Sequence, residues 1–175
     1  MNDKCVILVD NSNIFIGGRQ LAASGGGASD ESVDPNWRID FRALLDVLGK
    51  GREVERALLI GSRPPFVDAL WAAAEKEGFE VIVHDRNPQG KEKGIDTEIV
   101  ACGTEIVCTA PEPMTLVIAS GDLDLLPLVN LAKDYGWKVE VCAFSNSYNP
   151  DSELCAACSE VRALDDYFEQ LGGAA

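Results

Sequence analysis

A chain of 175 residues, 46% of them hydrophobic, is long enough for one well-buried core and short for two domains. No run of about 18 apolar residues occurs, and the apolar segment from Cys5 to Val9 is too brief for a signal peptide and lacks a cleavage pattern, so a soluble cytoplasmic protein with no membrane partner is expected. The formal net charge of −14, from 15 Lys and Arg against 29 Asp and Glu, argues against a grip on nucleic acid by bulk electrostatics, so any RNA binding must be local.

Lys4 to Val9 is a continuous apolar run of strand length that ends at Asp10, as suits a central parallel strand buried on both faces. The stretch from Gly17 to Trp37 contains Ser24-Gly25-Gly26-Gly27-Ala28-Ser29 and is too glycine-rich to pack as an element, which predicts a flexible loop over 17–37. Asp40 caps a predicted helix through Gly49, with Phe41, Leu44, Leu45 and Leu48 at helical spacing. Ala57 to Ile60 is the second strand, and Pro64 and Pro65 suit a loop leading into a helix from Phe66 to Glu77. Val81 to Val83 is the third strand. Asp96 opens a third helix whose Ile95, Ile99, Cys102 and Ile106 form one apolar stripe. Thr115 to Ala119 is the fourth strand. A helix from Leu123 to Tyr135 follows, tolerating Pro127 in its first turn and stopping at Gly136. Val139 to Ala143 is the fifth strand, followed by a loop and a last helix over Asp165 to Leu171.

Strands alternating with helices predict a single domain over 1–175, an α/β fold with a three-layer α/β/α sandwich. The sheet is expected to be parallel and five-stranded, in the order 3-2-1-4-5 when these strands are numbered along the chain. The chain then reverses direction between strands one and four, the switch point where ligands settle in such sheets.

Three acidic motifs fall at that edge: Val9-Asp10-Asn11-Ser12-Asn13, Lys93-Gly94-Ile95-Asp96 and Ser120-Gly121-Asp122-Leu123-Asp124. Each acid has an ordinary alternative as a turn or helix cap. Convergence of all of them at one edge is better explained by a hard divalent cation such as Mg²⁺ or Mn²⁺, which relieves the repulsion between carboxylates. Asp10, Asp96, Asp122 and Asp124 are therefore the candidate metal-holding and catalytic residues. Asn13 and Ser120 are candidate substrate contacts or supports, and Lys91 and Lys93 are a candidate phosphate-binding rim. The chemistry that follows is metal-assisted phosphodiester hydrolysis.

Competing chemistries are poorly supplied. There is no P-loop and hence no expected nucleotide cofactor, and Asp10-Asn11-Ser12 lacks the Asp-x-Asp of an aspartyl-phosphate phosphatase. Cys155 and Cys158 form the single Cys-x-x-Cys pair and His84 is the only histidine, too few ligands for a structural zinc site.

At these three motifs, and in a closing segment with Leu164, Asp165 and Phe168, the chain resembles an NYN domain of the LabA-like (DUF88) group, a branch of the PIN-like nuclease superfamily. The long third motif, Ser120 through Val129, is the most specific of the matches. The resemblance implies a PIN-like fold, a divalent-metal site built on Asp10, Asp96, Asp122 and Asp124 with Asn13 in support, and RNA as substrate. It departs from the pattern at Cys102, where many members carry a second acid on the third helix; Glu98 and Glu105 are the nearby substitutes. Two readings follow: a Mg²⁺- or Mn²⁺-dependent ribonuclease, or a catalytically weak module that binds RNA or a protein partner. A homo-oligomer is compatible with either.

Overall fold

The computed structural model describes residues 3–24, 34–63, 68–85 and 94–174. Along the chain run β1 (Lys4–Asp10), α1 (Asn11–Ser24), β2 (Trp37–Ile39), α2 (Phe41–Gly49), β3 (Glu53–Arg63), α3 (Asp68–Glu77), β4 (Glu80–Asp85), α4 (Ile95–Thr109) and β5 (Thr115–Ala119). A 3₁₀ turn (Leu123–Leu125) leads into α5 (Leu126–Asp134) and β6 (Lys138–Ala143), followed by α6 (Glu153–Ala157), β7 (Glu160–Ala163), α7 (Phe168–Leu171) and β8 (Gly172–Ala174).

The main sheet is parallel, with helices packed on both of its faces, and its order is β4-β3-β1-β5-β6-β7. This corrects the five-stranded expectation: the sheet has six strands, and counted over every strand of the chain its order is 4-3-1-5-6-7, in which the five expected strands keep their expected neighbours, β4-β3-β1-β5-β6. Two short strands make the difference. β2 shifts the numbering by pairing antiparallel with β8 in a separate ribbon, and β7 extends the sheet beyond β6. In β7 the charged Glu160 and Arg162 replace the apolar run that marks the other strands, and Arg162 is nevertheless buried.

Alternation along each strand divides the core into two. Cys5, Ile7 and Val9 of β1, with Leu59, Val117 and Ala119, face the cluster that includes Leu44, Leu48, Trp71 and Phe144. Val6 and Leu8, with Leu58, Ile60, Leu116 and Ile118, face Ile99 and Ile106 of α4 and Leu128 and Val129 of α5. Both faces of β1 are thus covered, and its apolar residues from Cys5 to Val9 are at most 1% exposed.

Helix starts follow local chemistry. The Asp40 carboxylate accepts from the Arg42 and Ala43 N–H groups at 3.0 and 3.1 Å and begins α2. Gly94, at φ 86°, turns the chain into α4 through a left-handed conformation that a side chain would strain.

The expected loop over 17–37 also needs correction. Helix α1 continues through Gly17 and Gly18 to Ser24, and Trp37 belongs to β2; residues 25–33 lie outside the described residues. The glycines are accommodated because another side chain fills their space: a Cβ on Gly18 would collide with the Trp37 ring. Trp37 in turn stacks on Phe168, with ring centroids 6.0 Å apart and planes 8° from parallel.

Candidate metal centre

β1 and β5 are neighbours in the sheet, so the loops that follow them meet at the switch point. Asp10, the last residue of β1, is only 6% exposed. Its carboxylate accepts from the Asn13 N–H at 3.3 Å and from the Ser120 hydroxyl at 3.3 Å. The Ser120 oxygen itself accepts from the Asp122 N–H at 3.2 Å, while Asn13 Oδ1 accepts from the Gly121 N–H at 3.4 Å. Two neutral side chains therefore lace the two loops together around one buried carboxylate.

Gly121 is a point of close approach. A Cβ there would collide with the Ser147 carbonyl oxygen and with Tyr148 Cβ, so the segment after β6 rests directly on the loop carrying the acids. Asp122 caps the 3₁₀ turn, accepting from the Asp124 N–H at 2.9 Å, and this fold of the backbone brings both acids of the Asp-Leu-Asp sequence to the same place.

Asp96, in the first turn of α4, completes the group. One carboxylate oxygen from each of Asp96, Asp122 and Asp124 lies within 4.8 Å of the others. Among the described residues no Lys or Arg forms an ion pair with these three. Burial, then the charge and hydrogen bonding of Asp122, and then the charges of Asp10 and Asp124 push the Asp96 carboxyl up to about 7. A set of oxygen donors that resists its own ionisation suits a hard divalent cation.

The sequence-predicted residues separate into groups. Asp96, Asp122 and Asp124 come together, while Asp10 stands outside their tight cluster but close enough to raise Asp96. Asn13 and Ser120 brace the loops. Lys91 and Lys93 lie outside the described residues. Glu98 does not join the cluster: it faces His84 Nε2 at 3.4 Å and accepts from the Cys102 thiol at 3.5 Å. Burial, with Glu98 adding to it, pushes that thiol up to about 11, so Cys102 is no substitute for a carboxylate.

Apart from Asn13, sequence reading missed the walls of the site. A cavity of about 490 Å³ opens over Asp10, Asp96 and Asp122, lined along α1 by Asn13, Ile16 and Gln20 and in the segment after β6 by Asn146 and Ser147. Helical spacing would have placed Asn13, Ile16 and Gln20 on one face had α1 been recognised. Nothing local in the sequence connects Asn146 with that helix; its side-chain N–H₂ donates to the Gly17 carbonyl at 3.0 Å.

The NYN domain family model matches residues 4–165, a span containing all three acidic motifs. The chain belongs to the NYN domain family. This NYN domain is also similar to a solved structure, a protein of unknown function, VPA0982, from Vibrio parahaemolyticus RIMD 2210633. The two share 20% sequence identity with a TM-score of 0.71, over 98% of this chain and 97% of that one, a likeness that shows the fold. Among curated proteins none matches the chain. Among the described residues, no helix of the NYN domain is long and apolar enough to cross a membrane.

Proposed function

We propose that this NYN domain is a PIN-like, divalent-metal-dependent ribonuclease of the LabA-like (DUF88) group that hydrolyses RNA phosphodiester bonds at the aspartate edge of its sheet. The observation that carries this reading is the convergence of Asp96, Asp122 and Asp124 beside buried Asp10, without a cationic partner for the three among the described residues. Membership of the NYN family supports it.

Asp96, Asp122 and Asp124 would hold Mg²⁺ or Mn²⁺, with Asp10 as the innermost carboxylate. Bound at such a set, the cation supplies Lewis-acid polarisation of a phosphoryl oxygen and a nucleophilic water at neutral pH. The protein's own part is placement. Ser120 holds the Asp10 carboxylate and the Asp122 backbone in one network, and Asn13 fixes Gly121. Asp96 must shed its proton before it can serve as a ligand, so metal loading improves as pH rises through about 7. Lys91 and Lys93, just ahead of Gly94 in sequence, are the proposed phosphate contacts.

A second reading, a catalytically weak module that binds RNA or a protein, is favoured by one observation: the α4 position that carries an acid in many members of the family is Cys102, and the nearest acid, Glu98, is engaged with His84 and that thiol. Cleavage of RNA under Mg²⁺ and Mn²⁺ tests both. The ribonuclease reading expects metal-dependent cleavage that disappears in Asp10→Asn and Asp122→Asn; undiminished cleavage in both variants removes the proposed site. Stoichiometric binding without cleavage across a metal series selects the second reading.

A further inference from the structure

The described walls of the cavity beside the aspartates are built unlike a phosphate grip. Nucleic-acid affinity usually comes from lysine and arginine on the phosphates. Among the described residues the walls here carry neither; they present the amides of Asn13, Gln20 and Asn146, the hydroxyls of Ser12 and Ser147, and the apolar side chain of Ile16.

Exposed apolar side chains sharpen the contrast. Among the described residues the large hydrophobic side chains left in water are Ile16, Leu123 and Tyr135, at 50%, 52% and 50% exposure. Two of them border the acids. Ile16 lines the cavity, and Leu123 stands between Asp122 and Asp124 on the 3₁₀ turn. Tyr135 follows α5 and precedes Gly136, which lines a cavity at the opposite edge of the sheet. Apolar side chains beside a phosphodiester centre need an apolar counterpart in the bound state, and RNA offers its base faces. In a duplex those faces are covered by neighbouring base pairs; on an unpaired strand they are available.

We propose that Ile16 and Leu123 are base-contacting, specificity-determining residues. With the amides of Asn13 and Gln20 beside Ile16 on α1, they select unpaired nucleotides and hold them through base contacts more than through phosphate neutralisation. The proposal rests on the ribonuclease reading of the aspartates, and it concerns which residues choose the substrate.

The test measures binding of a short labelled oligouridylate and of a blunt RNA duplex of equal length by fluorescence anisotropy, in the Asp122→Asn background to prevent turnover. Ile16→Ala and Leu123→Ala are each expected to weaken oligouridylate binding about five- to tenfold, the effect of partly burying one aliphatic side chain. Tyr135→Ala serves as the control and is expected to bind unchanged. In the active protein the same two substitutions raise KM and leave kcat unchanged. The slope of log K against log salt should be shallower than about −2, because each phosphate neutralised on a single strand contributes about −0.7. Both side chains are half exposed, so an unchanged Tm checks that the variants are folded.

Equal affinity for duplex and single strand, undiminished binding by both variants, or a steeper salt slope overturns the proposal. Failure to bind any RNA overturns it too and leaves the exposed pair to a protein partner. The two readings fail separately. Wild-type protein that cleaves nothing while both variants lose single-strand binding sinks the ribonuclease and keeps the base contacts of Ile16 and Leu123. Cleavage in wild type with undiminished binding in both variants does the reverse.

Discussion

The two edges of the sheet treat their acids in opposite ways. At the amino edge, Glu140 is only 4% exposed and meets two arginines. Its carboxylate accepts from Arg52 Nη1 and, at 3.4 Å, from Arg52 Nη2, while Arg162 Nε lies 3.5 Å away, an ion-pair distance without hydrogen-bond geometry. The guanidinium groups are anchored in turn: Arg162 donates to the Val47 and Leu48 carbonyls at 2.8 and 3.2 Å, and Arg52 donates to Gly49 and Leu48 at 2.9 and 3.1 Å. The network ties the end of α2 to β6 and β7. At the carboxyl edge Asp96, Asp122 and Asp124 have no such partner among the described residues, and Asp96 responds by holding its proton up to about 7.

A buried acid whose charge is already answered is part of the scaffold, whereas a cluster whose charge is unanswered has capacity for a ligand. Cavity size does not make this distinction. The cavity at the amino edge, about 830 Å³, is larger than the one of about 490 Å³ over the aspartates. Its lining pairs Lys50 with Glu160 and Arg52 with Glu140, so its most buried acid already has its counter-charge.

The contrast can be broken at either edge. The largest expected effect is on cleavage: Asp122→Asn should reduce it at least about 100-fold, since changes to outer partners of metal ligands alone cost about 10- to 100-fold. Unfolding of the same variant in urea should show its stability preserved. A matching loss of stability would mean that the aspartates are scaffold as well.

Next in size is Glu140→Gln, which leaves the buried Arg162 and the partly buried Arg52 guanidinium groups without their counter-charge and should cost about 3 kcal/mol in chemical unfolding. Cleavage by the fraction that remains folded should be unchanged. A smaller effect is expected from metal on the intact protein. Mn²⁺ at about 100 times its Kd should add about 2.7 kcal/mol of stability, read as a rise in Tm that is absent in Asp122→Asn. An equal rise in both proteins would place the ion elsewhere.

A further effect is a pH slope in the metal-free protein. Asp96 titrates near 7 when folded, against an ordinary value of 3.8, so between those values the folded state holds more protons than the unfolded one. The stability linked to this proton is fully present below the unfolded value and is lost as pH rises through about 7. Urea unfolding in a chelator, from about pH 4 to about pH 8, should show that decline, and Asp96→Asn should flatten it. A slope unchanged by the substitution would assign the titration to another group.

Much of the frame was legible because the signals are local. The apolar runs of β1 and β5 announce strands covered on both faces, Asp40 is followed by amides it can cap, and Gly94 and Gly136 mark turns that require positive φ, at 86° and 83°. The three acidic motifs were legible for the same reason, as each sits beside a strand end or a helix start.

What escaped was decided at a distance. α1 was concealed because its glycines read as a loop until the Trp37 ring is seen filling the space above Gly18. β7 was concealed because Arg162 looks solvated until Glu140 is found beneath it. Asn146 gave no signal at all, since its partner is the Gly17 carbonyl, remote in sequence.

By itself the sequence determined the alternation of strands and helices, the placement of its acids at one edge of a parallel sheet, and a composition too acidic for a grip on nucleic acid by bulk charge. Those properties depend on residue type and spacing, which the chain carries before it folds. Only the tertiary structure decided that Asp96, Asp122 and Asp124 meet while Asp10 stands behind them, that Glu98 turns away to His84, and that Ile16 lines the cavity wall. Those outcomes depend on which side chains share space and charge after distant segments have packed. No single segment of the chain contains that information.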